Sequence, residues 1–193
     1  SFPTRRSSDL REHVDLPITG VIEPGARAAV RASEAHSIGV LGTQGTISSG
    51  AYERAIHALD ADAHVVARAC PLFVPFVEEG WLDHPVIELV AHDYLSTLSD
   101  TDIDTVVLGC THYPLIKPVI ARAIGPDMRL IDSAEETAGE VARLLTDRGL
   151  HHPARNDARR LRFIASDVPE QFRNVGKRFL GSAIDHVEAV TLG

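Results

Sequence analysis

The segment TVVLGCTHYPL, residues 105–115, contains the pattern that decides the fold. Its first four residues form a near-continuous apolar run. Such runs are typical of strands buried in a parallel sheet, because helices cover both faces of those strands. A glycine and Cys110 follow the run directly. We therefore predict a buried strand at residues 105–108 with a cysteine at its carboxyl end.

Strand and helix patterns alternate on both sides of this segment. Short apolar or β-branched runs, which predict strands, lie at residues 18–22, 37–41, 63–68, 128–131 and 161–165. Helical patterns lie at residues 26–35, 49–59, 86–98, 118–124, 134–146 and 168–180. We expect Ser133 to cap the helix at 134–146. This alternation predicts an α/β fold whose parallel or mostly parallel sheet has helices on both faces.

The composition limits the partners and the compartment. The chain has 193 residues, of which 44% are hydrophobic, enough for one domain or for one and a half. A net charge of -8 argues against nucleic acid and anionic membranes as partners. No apolar run approaches the roughly 20 residues that span a bilayer. Cys70 and Cys110 are the only cysteines, and nothing resembles a secretory signal, which favours a reducing cytoplasm.

Two polar segments are set apart from this pattern. The first ten residues, SFPTRRSSDL, are polar and basic without periodicity, and no apolar targeting stretch follows them. We expect residues 1–13 to be a non-native or disordered tail. Residues 151–160 are polar with a basic end, and we expect a surface loop there.

One predicted strand end carries glycines and hydroxyls. In open parallel sheets, ligands bind outside the carboxyl ends of the strands. The sequence GTQGT, residues 42–46, follows the strand at 37–41 and resembles a phosphate cradle, since its glycines expose backbone N–H groups. It lacks a P-loop lysine and the third glycine of a dinucleotide fingerprint. A tight turn, with Ser48 or Ser49 capping the next helix, is the alternative, and the sequence leaves both open.

The other strand end carries Cys110 and, two residues on, His112. Helix-start N–H groups beside a strand-end cysteine lower the pKa of the thiol below the ~8.5 of a free cysteine. His112 is then a proton partner or a stabiliser of the thiolate. Two other interpretations remain, a small buried hydrophobe and a metal ligand. Cys110 and His112 offer two ligands with no second pair at zinc spacing, so we expect no metal site.

GCTHYPL, residues 109–115, resembles the second catalytic motif of the glutamate racemases, in the aspartate/glutamate racemase superfamily. The resemblance extends, in order, through residues 20–30, 38–52, 69–81, 131–138 and 166–181, and covers nearly everything from Val14 onward. Related aspartate racemases usually have a glutamate residue at the position of His112. The histidine here therefore favours glutamate, rather than aspartate, as the substrate.

The resemblance implies two doubly wound parallel-sheet α/β domains with the substrate between them, the first domain being incomplete here. Residues 14–108 would form one complete domain. Residues 109–193 would form the carboxyl part of the other, without its opening strands. The family's Asp-Ser-Gly, Tyr-Gly and Cys-Asn-Thr motifs, the last carrying the first catalytic cysteine, should precede Val14, and residues 1–13 contain none of them. We therefore expect a racemase truncated at its amino end and inactive as a fragment.

The resemblance also assigns roles. It makes Cys110 the base for one enantiomer and the acid for the other, assisted by His112. Thr111 and His112 would contact the substrate. Glu78 corresponds to a family carboxylate near this histidine, although sequence alone favours an ordinary exposed acid. Thr43 and Thr46 correspond to a hydroxyl-bearing turn that lines the family's pocket.

The function implied is interconversion of L- and D-glutamate without cofactor or metal, supplying D-glutamate for peptidoglycan in the cytoplasm. The only partners expected are glutamate and, as often in the family, a second copy in a homodimer. Two alternatives stay open at this point. One is a racemase of the same superfamily acting on another amino acid such as aspartate, and the other is a non-catalytic α/β binding module.

Overall fold

The computed structural model describes residues 16–99, 101–150 and 161–191. These residues belong to two compact units, one within residues 1–151 and the other within residues 152–193. The tail predicted at residues 1–13 and the surface loop predicted at 151–160 lie outside the described residues.

The larger unit is built on a four-stranded sheet in the order β2-β1-β3-β4. The strands are β1 (Ser37–Gly42), β2 (His64–Ala69), β3 (Thr105–Leu108) and β4 (Arg129–Asp132). Every pair is parallel, so the carboxyl ends of all four strands lie at one edge. The apolar run at 105–108 is, as predicted, a strand with every residue buried, and it lies at a central position in the sheet.

Helices cover both faces of this sheet, as the alternation predicted. They are α1 (Ile22–Ala32), α2 (Gln44–Ser48), α3 (Ala51–His57), α4 (Phe73–Glu79), α5 (Pro85–Ser99), α6 (Lys117–Ile124) and α7 (Ser133–Asp147), with a 3-10 turn at Tyr113–Ile116. Successive strand side chains point to opposite faces. Val107 therefore packs with α1 and α3, while Val106 and Leu108 pack with α4, α5 and α6.

The smaller unit is a parallel pair of short strands with one helix. The strands β5 (Phe163–Ala165) and β6 (Val187–Ala189) are joined through α8 (Pro169–Leu180) and a 3-10 turn at Gly181–Ala183. Its buried core consists of Ala165, Ile184 and Val187. In the described part of the chain, no helix is both long and apolar enough to cross a bilayer.

The division into units differs from the boundary expected between residues 108 and 109. β4 lies beyond that boundary but pairs with β3 along its whole length, with Leu108 opposite Asp132. A division after residue 108 would separate two neighbouring strands of one sheet. The larger unit therefore continues through α7, and the smaller unit follows residue 151.

Two local expectations were also wrong. The β-branched run at 18–22 does not form a strand, and α1 begins at Ile22. Pro24 is tolerated there because amides in the first helical turn have no intrahelical partner. Asp132, not Ser133, caps α7: its carboxylate accepts the N–H groups of Ala134 at 2.9 Å and Glu135 at 3.4 Å. A carboxylate at this position also interacts favourably with the positive end of the helix dipole.

Candidate active site

The site lies where the strand order reverses. From β1 the chain passes to β2 on one side and then crosses to β3 on the other. Such a switch point leaves a crevice outside the carboxyl ends of the two central strands. Thr43 follows β1 here, and Gly109 and Cys110 follow β3.

The residue before Cys110 has to be glycine, because the backbone at position 109 lies against Leu41 and Tyr52. The N–H of Gly109 donates to the carbonyl of Leu41 at 2.8 Å. A Cβ atom on Gly109 would lie 2.8 Å from that same oxygen and 2.9 Å from the Cε2 atom of Tyr52. Both distances are shorter than real Cβ contacts, so the glycine allows the loop to lie directly on β1 and the tyrosine ring.

Cys110, His112 and Glu78 form a connected series. The Sγ atom of Cys110 lies 3.9 Å from Nδ1 of His112, and Nε2 of His112 lies 3.2 Å from Oε1 of Glu78. A carboxylate only accepts, so it holds the imidazole proton on Nε2 and leaves the Nδ1 lone pair toward the thiol. The hydroxyl of Thr111 lies 3.4 Å from the same Nδ1. The imidazole is thus oriented to exchange a proton with Cys110.

Burial raises the pKa of the Cys110 thiol, and hydrogen bonds from the backbone of His112 and Tyr113 oppose that rise without cancelling it. The expectation of a pKa below the ordinary value was therefore wrong. It counted the helix-start amides but not the apolar walls around the sulfur. Cys70 is 0% exposed, and burial raises the pKa of its thiol to about 12, so it is the less reactive of the two.

The elements that carry Glu78 and His112 are packed against each other. Tyr113, next to His112, donates its hydroxyl to the carbonyl of Cys70 at 3.0 Å, just before α4. Its ring packs edge-on against Phe73 in the first turn of α4, with centroids 5.3 Å apart. Because Glu78 lies on the same short helix, this contact fixes the carboxylate relative to the imidazole.

The two threonines after β1 are used locally. Thr43 caps α2: its Oγ1 accepts the N–H of Thr46 at 3.2 Å and lies 3.0 Å from the Thr46 hydroxyl. The turn interpretation of residues 42–46 therefore describes the structure, with Thr43 as cap of a five-residue helix. Ser49 accepts the N–H of Ala51 at 3.2 Å, close to the capping role considered for it.

A cavity of about 570 Å³ opens beside Cys110. Of the residues assigned to the site from sequence, only Cys110 and Thr111 line it. His112, Glu78, Thr43 and Thr46 are outside its walls. Its remaining lining comes mostly from one face of α7: Ala134, Thr137, Ala138, Val141, Ala142 and Leu145. The thiol therefore lies between an apolar wall on one side and the polar His112–Glu78 pair on the other.

Two residues of the cavity wall, Tyr52 and Ser133, were not assigned to the site from sequence. Ser133 follows β4, and a hydroxyl at a fourth strand end was the available signal. It was assigned to capping α7 instead. Tyr52 had no such signal, because only the packing of α3 brings it to Gly109.

Comparison with known proteins adds a family to this geometry. A family profile described as Asp/Glu/Hydantoin racemase matches residues 7–141, a range that includes part of the expected tail. A glutamate racemase of Geobacter metallireducens is 49% identical over 183 residues, which are 95% of this chain and 67% of that protein.

Solved structures agree with this likeness. The chain is similar to a glutamate racemase isoform of Bacillus anthracis with a TM-score of 0.87 and 39% identity, over 96% of this chain and 68% of that one. It is similar to the Francisella tularensis glutamate racemase, solved in complex with D-glutamate, with a TM-score of 0.85 and 34% identity, over 95% and 67%. The chain thus spans about two thirds of the length of these relatives.

Proposed function

The chain belongs to the Asp/Glu/hydantoin racemase family, and we propose that it is the Cys110-bearing part of a glutamate racemase. The observation that carries this proposal is the series Cys110–His112–Glu78 at the switch point of the sheet. The relatives support glutamate as the substrate, since those compared are named glutamate racemases and one was solved with D-glutamate. The reaction would supply D-glutamate in the cytoplasm for the synthesis of peptidoglycan.

The reaction proposed is proton transfer at Cα on two faces. The α-hydrogen is a weak acid, so its removal needs a matched base in a preorganised site. Cys110 as thiolate takes the proton on one face: the C–H bond breaks and an S–H bond forms. A second acid protonates the opposite face of the carbanion. In the reverse direction the Cys110 thiol gives its proton to Cα.

His112 would assist by holding the proton that Cys110 must lose before each round of abstraction. Its Nδ1 faces Sγ, and Glu78 stabilises the imidazolium that forms. This matters because burial raises the thiol pKa and makes the thiolate scarce at neutral pH without a base. The hydroxyls of Thr111, Thr43 and Thr46 are proposed to bind the substrate carboxylates. No metal or organic cofactor enters this scheme.

The second acid/base group is proposed to lie outside these 193 residues. Cys70 is the only other cysteine, and it is fully buried with a thiol pKa of about 12. We therefore expect no measurable racemisation of L-glutamate by the 193-residue chain alone. Circular dichroism of the glutamate solution over time measures this. Steady loss of the signal that Cys110→Ala abolishes would contradict this.

The test of the full proposal joins the amino-terminal third of a glutamate racemase relative to this chain. In deuterated water, the first D-glutamate formed from L-glutamate should carry deuterium at Cα, since a different, solvent-exchanged group delivers it. Unreacted L-glutamate should stay protiated early, and Cys110→Ala should stop both directions. Early product that keeps its original hydrogen would refute the two-base mechanism. Turnover of aspartate but not of glutamate would refute the proposal that glutamate is the substrate.

A further inference from the structure

The Leu108–Gly109 peptide, which lies one residue before Cys110, is fixed at both of its polar groups. The N–H of Gly109 points toward β1 and donates to Leu41. In a trans peptide the Leu108 carbonyl points the opposite way, toward β4. There the hydroxyl of Ser133 donates to it at 2.6 Å. Ser133 therefore occupies the place that a backbone amide would take if β4 continued.

Tyr52 acts on the same peptide from a third direction. Its ring lies against Gly109 and leaves no room for a Cβ atom there. Burial raises the pKa of Tyr52, and the Ser133 side chain beside its hydroxyl opposes that rise. Because the single hydroxyl proton of Ser133 is given to Leu108, an interaction between the two hydroxyls has Tyr52 as its donor. Tyr52 is 4% exposed, so its hydroxyl has little access to solvent as an alternative partner.

We propose that Ser133 and Tyr52 are positioning residues that hold the Leu108–Gly109 peptide and so set the direction of the Cys110 side chain. The proposal rests on the proposed function for the catalytic role of Cys110. Neither hydroxyl takes part in the proton transfer. They keep Sγ beside the amides of His112 and Tyr113, which stabilise the thiolate, and within reach of the imidazole of His112.

The test measures the thiol itself, in the full 193-residue chain and without glutamate. The rate of alkylation of Cys110 by iodoacetamide is followed against pH, site by site, by mass spectrometry. In Ser133→Ala the Leu108 carbonyl loses its side-chain partner and the peptide can tilt. We expect the apparent pKa of Cys110 to rise and its rate at pH 8 to fall by about threefold to tenfold, because the thiolate is the reacting form.

Three comparisons make the test decisive. Tyr52→Phe should shift the profile in the same direction by less, and the double variant should match Ser133→Ala, since both hydroxyls act through one carbonyl. Tyr94→Phe is the matched control: its hydroxyl accepts the N–H of Leu72 at 3.4 Å, away from Cys110. Cys70 reports the fold, because it stays unreactive while it is buried.

An unchanged Cys110 profile in both variants with Cys70 still protected would overturn the proposal. So would an equal change in Tyr94→Phe. If Ser133→Ala exposes Cys70, the comparison of Tyr52→Phe with Tyr94→Phe decides, because each keeps its ring. Since no turnover is measured, these results stand apart from the racemase assignment, which the deuterium experiment tests.

Discussion

Burial affects the two thiols of this chain to different degrees. Cys70 is enclosed by the core beneath α4 and α5, and its thiol donates to the carbonyl of Arg68 at 3.8 Å. Cys110 lines an open cavity and has His112 beside it. Accessibility, rather than a lowered pKa, therefore distinguishes the two. A thiol in the role proposed for Cys110 depends on a neighbouring base to become a proton acceptor.

The first prediction at this scale concerns thiol reactivity. We expect iodoacetamide to modify Cys110 at least about 100-fold faster than Cys70, since a buried thiol reacts only when the structure opens. The rate at Cys110 should keep rising above pH 9, because burial raises its pKa above that of a free cysteine. Cys110→Ser identifies the signal of Cys70. A plateau below pH 8, or faster reaction at Cys70, would contradict the environments described.

The second prediction concerns Glu78 in the fusion of this chain with the amino-terminal third of a glutamate racemase relative. Glu78→Gln removes the charge that holds the imidazole proton on Nε2 and stabilises the imidazolium. We expect kcat to fall about tenfold to 100-fold, the usual cost of losing a partner that orients a catalytic group. KM should change less, because Glu78 is outside the cavity wall. Glu79→Gln, at the exposed neighbouring position, is the control. An equal fall in kcat in that variant would contradict the role assigned to Glu78.

At the scale of elements, the carboxyl end of α1 is held by Asp104. Its carboxylate accepts the hydroxyl of Ser33 at 2.6 Å and the N–H groups of Glu34 at 2.6 Å and Ala35 at 2.8 Å. Partial burial alone would raise the pKa of Asp104, but these hydrogen bonds outweigh it and lower the pKa to about 2. The segment between α1 and β1 is thus fastened to the start of β3.

We predict that Asp104→Asn lowers the free energy of unfolding by about 2 kcal/mol at pH 7, the typical value of hydrogen bonds to a charged group. A depressed pKa stabilises the fold above the unfolded value of 3.8, and this contribution is lost as pH falls toward about 2. The difference between variant and parent should therefore shrink below pH 4. Urea unfolding followed by the fluorescence of Trp81, the single tryptophan, measures it.

Asp102→Asn, two residues earlier and exposed, is the matched control for this prediction. It should leave the unfolding curve nearly unchanged at both pH values. A difference for Asp104→Asn that stays constant from pH 7 to pH 2 would show that the carboxylate charge is not what stabilises this connection.

Elements with strong local patterns were predictable from the sequence, and those defined by partners were not. β3 was predicted residue for residue, because an unbroken apolar run has few other stable places. The helix α4 was missed, since its seven residues, FVPFVEE, include a proline and show no clear period. The Glu78–His112 contact joins residues 34 apart and came only from the family resemblance. The Ser133–Leu108 bond needed the register of β3 and β4.

At the scale of the whole molecule, the two units have cores of very different size. In the described residues of the larger unit, two clusters of buried side chains lie on the two faces of its sheet. Among residues 161–191 of the smaller unit, the buried core cluster consists of Ala165, Ile184 and Val187. Its helix α8 leaves Phe172 45%, Phe179 40% and Leu180 51% exposed. Since apolar burial is the main source of stability, the smaller unit should be the less stable one.

Hydrogen exchange measured by mass spectrometry at pH 7 tests this difference. Amides open locally with free energies that follow the packing of their own region. We therefore expect the amides of Phe163–Ala165 and Val187–Ala189 to exchange at least about 100-fold faster than those of Ser37–Gly42 and Thr105–Leu108, after correction for sequence effects. Ile184→Ala, which removes the largest buried side chain of the smaller core, should speed exchange in β5 and β6 while leaving β1 and β3 unchanged. Equal protection of all four strands, or a loss of protection in β3 when Ile184 is truncated, would show that the two units unfold as one.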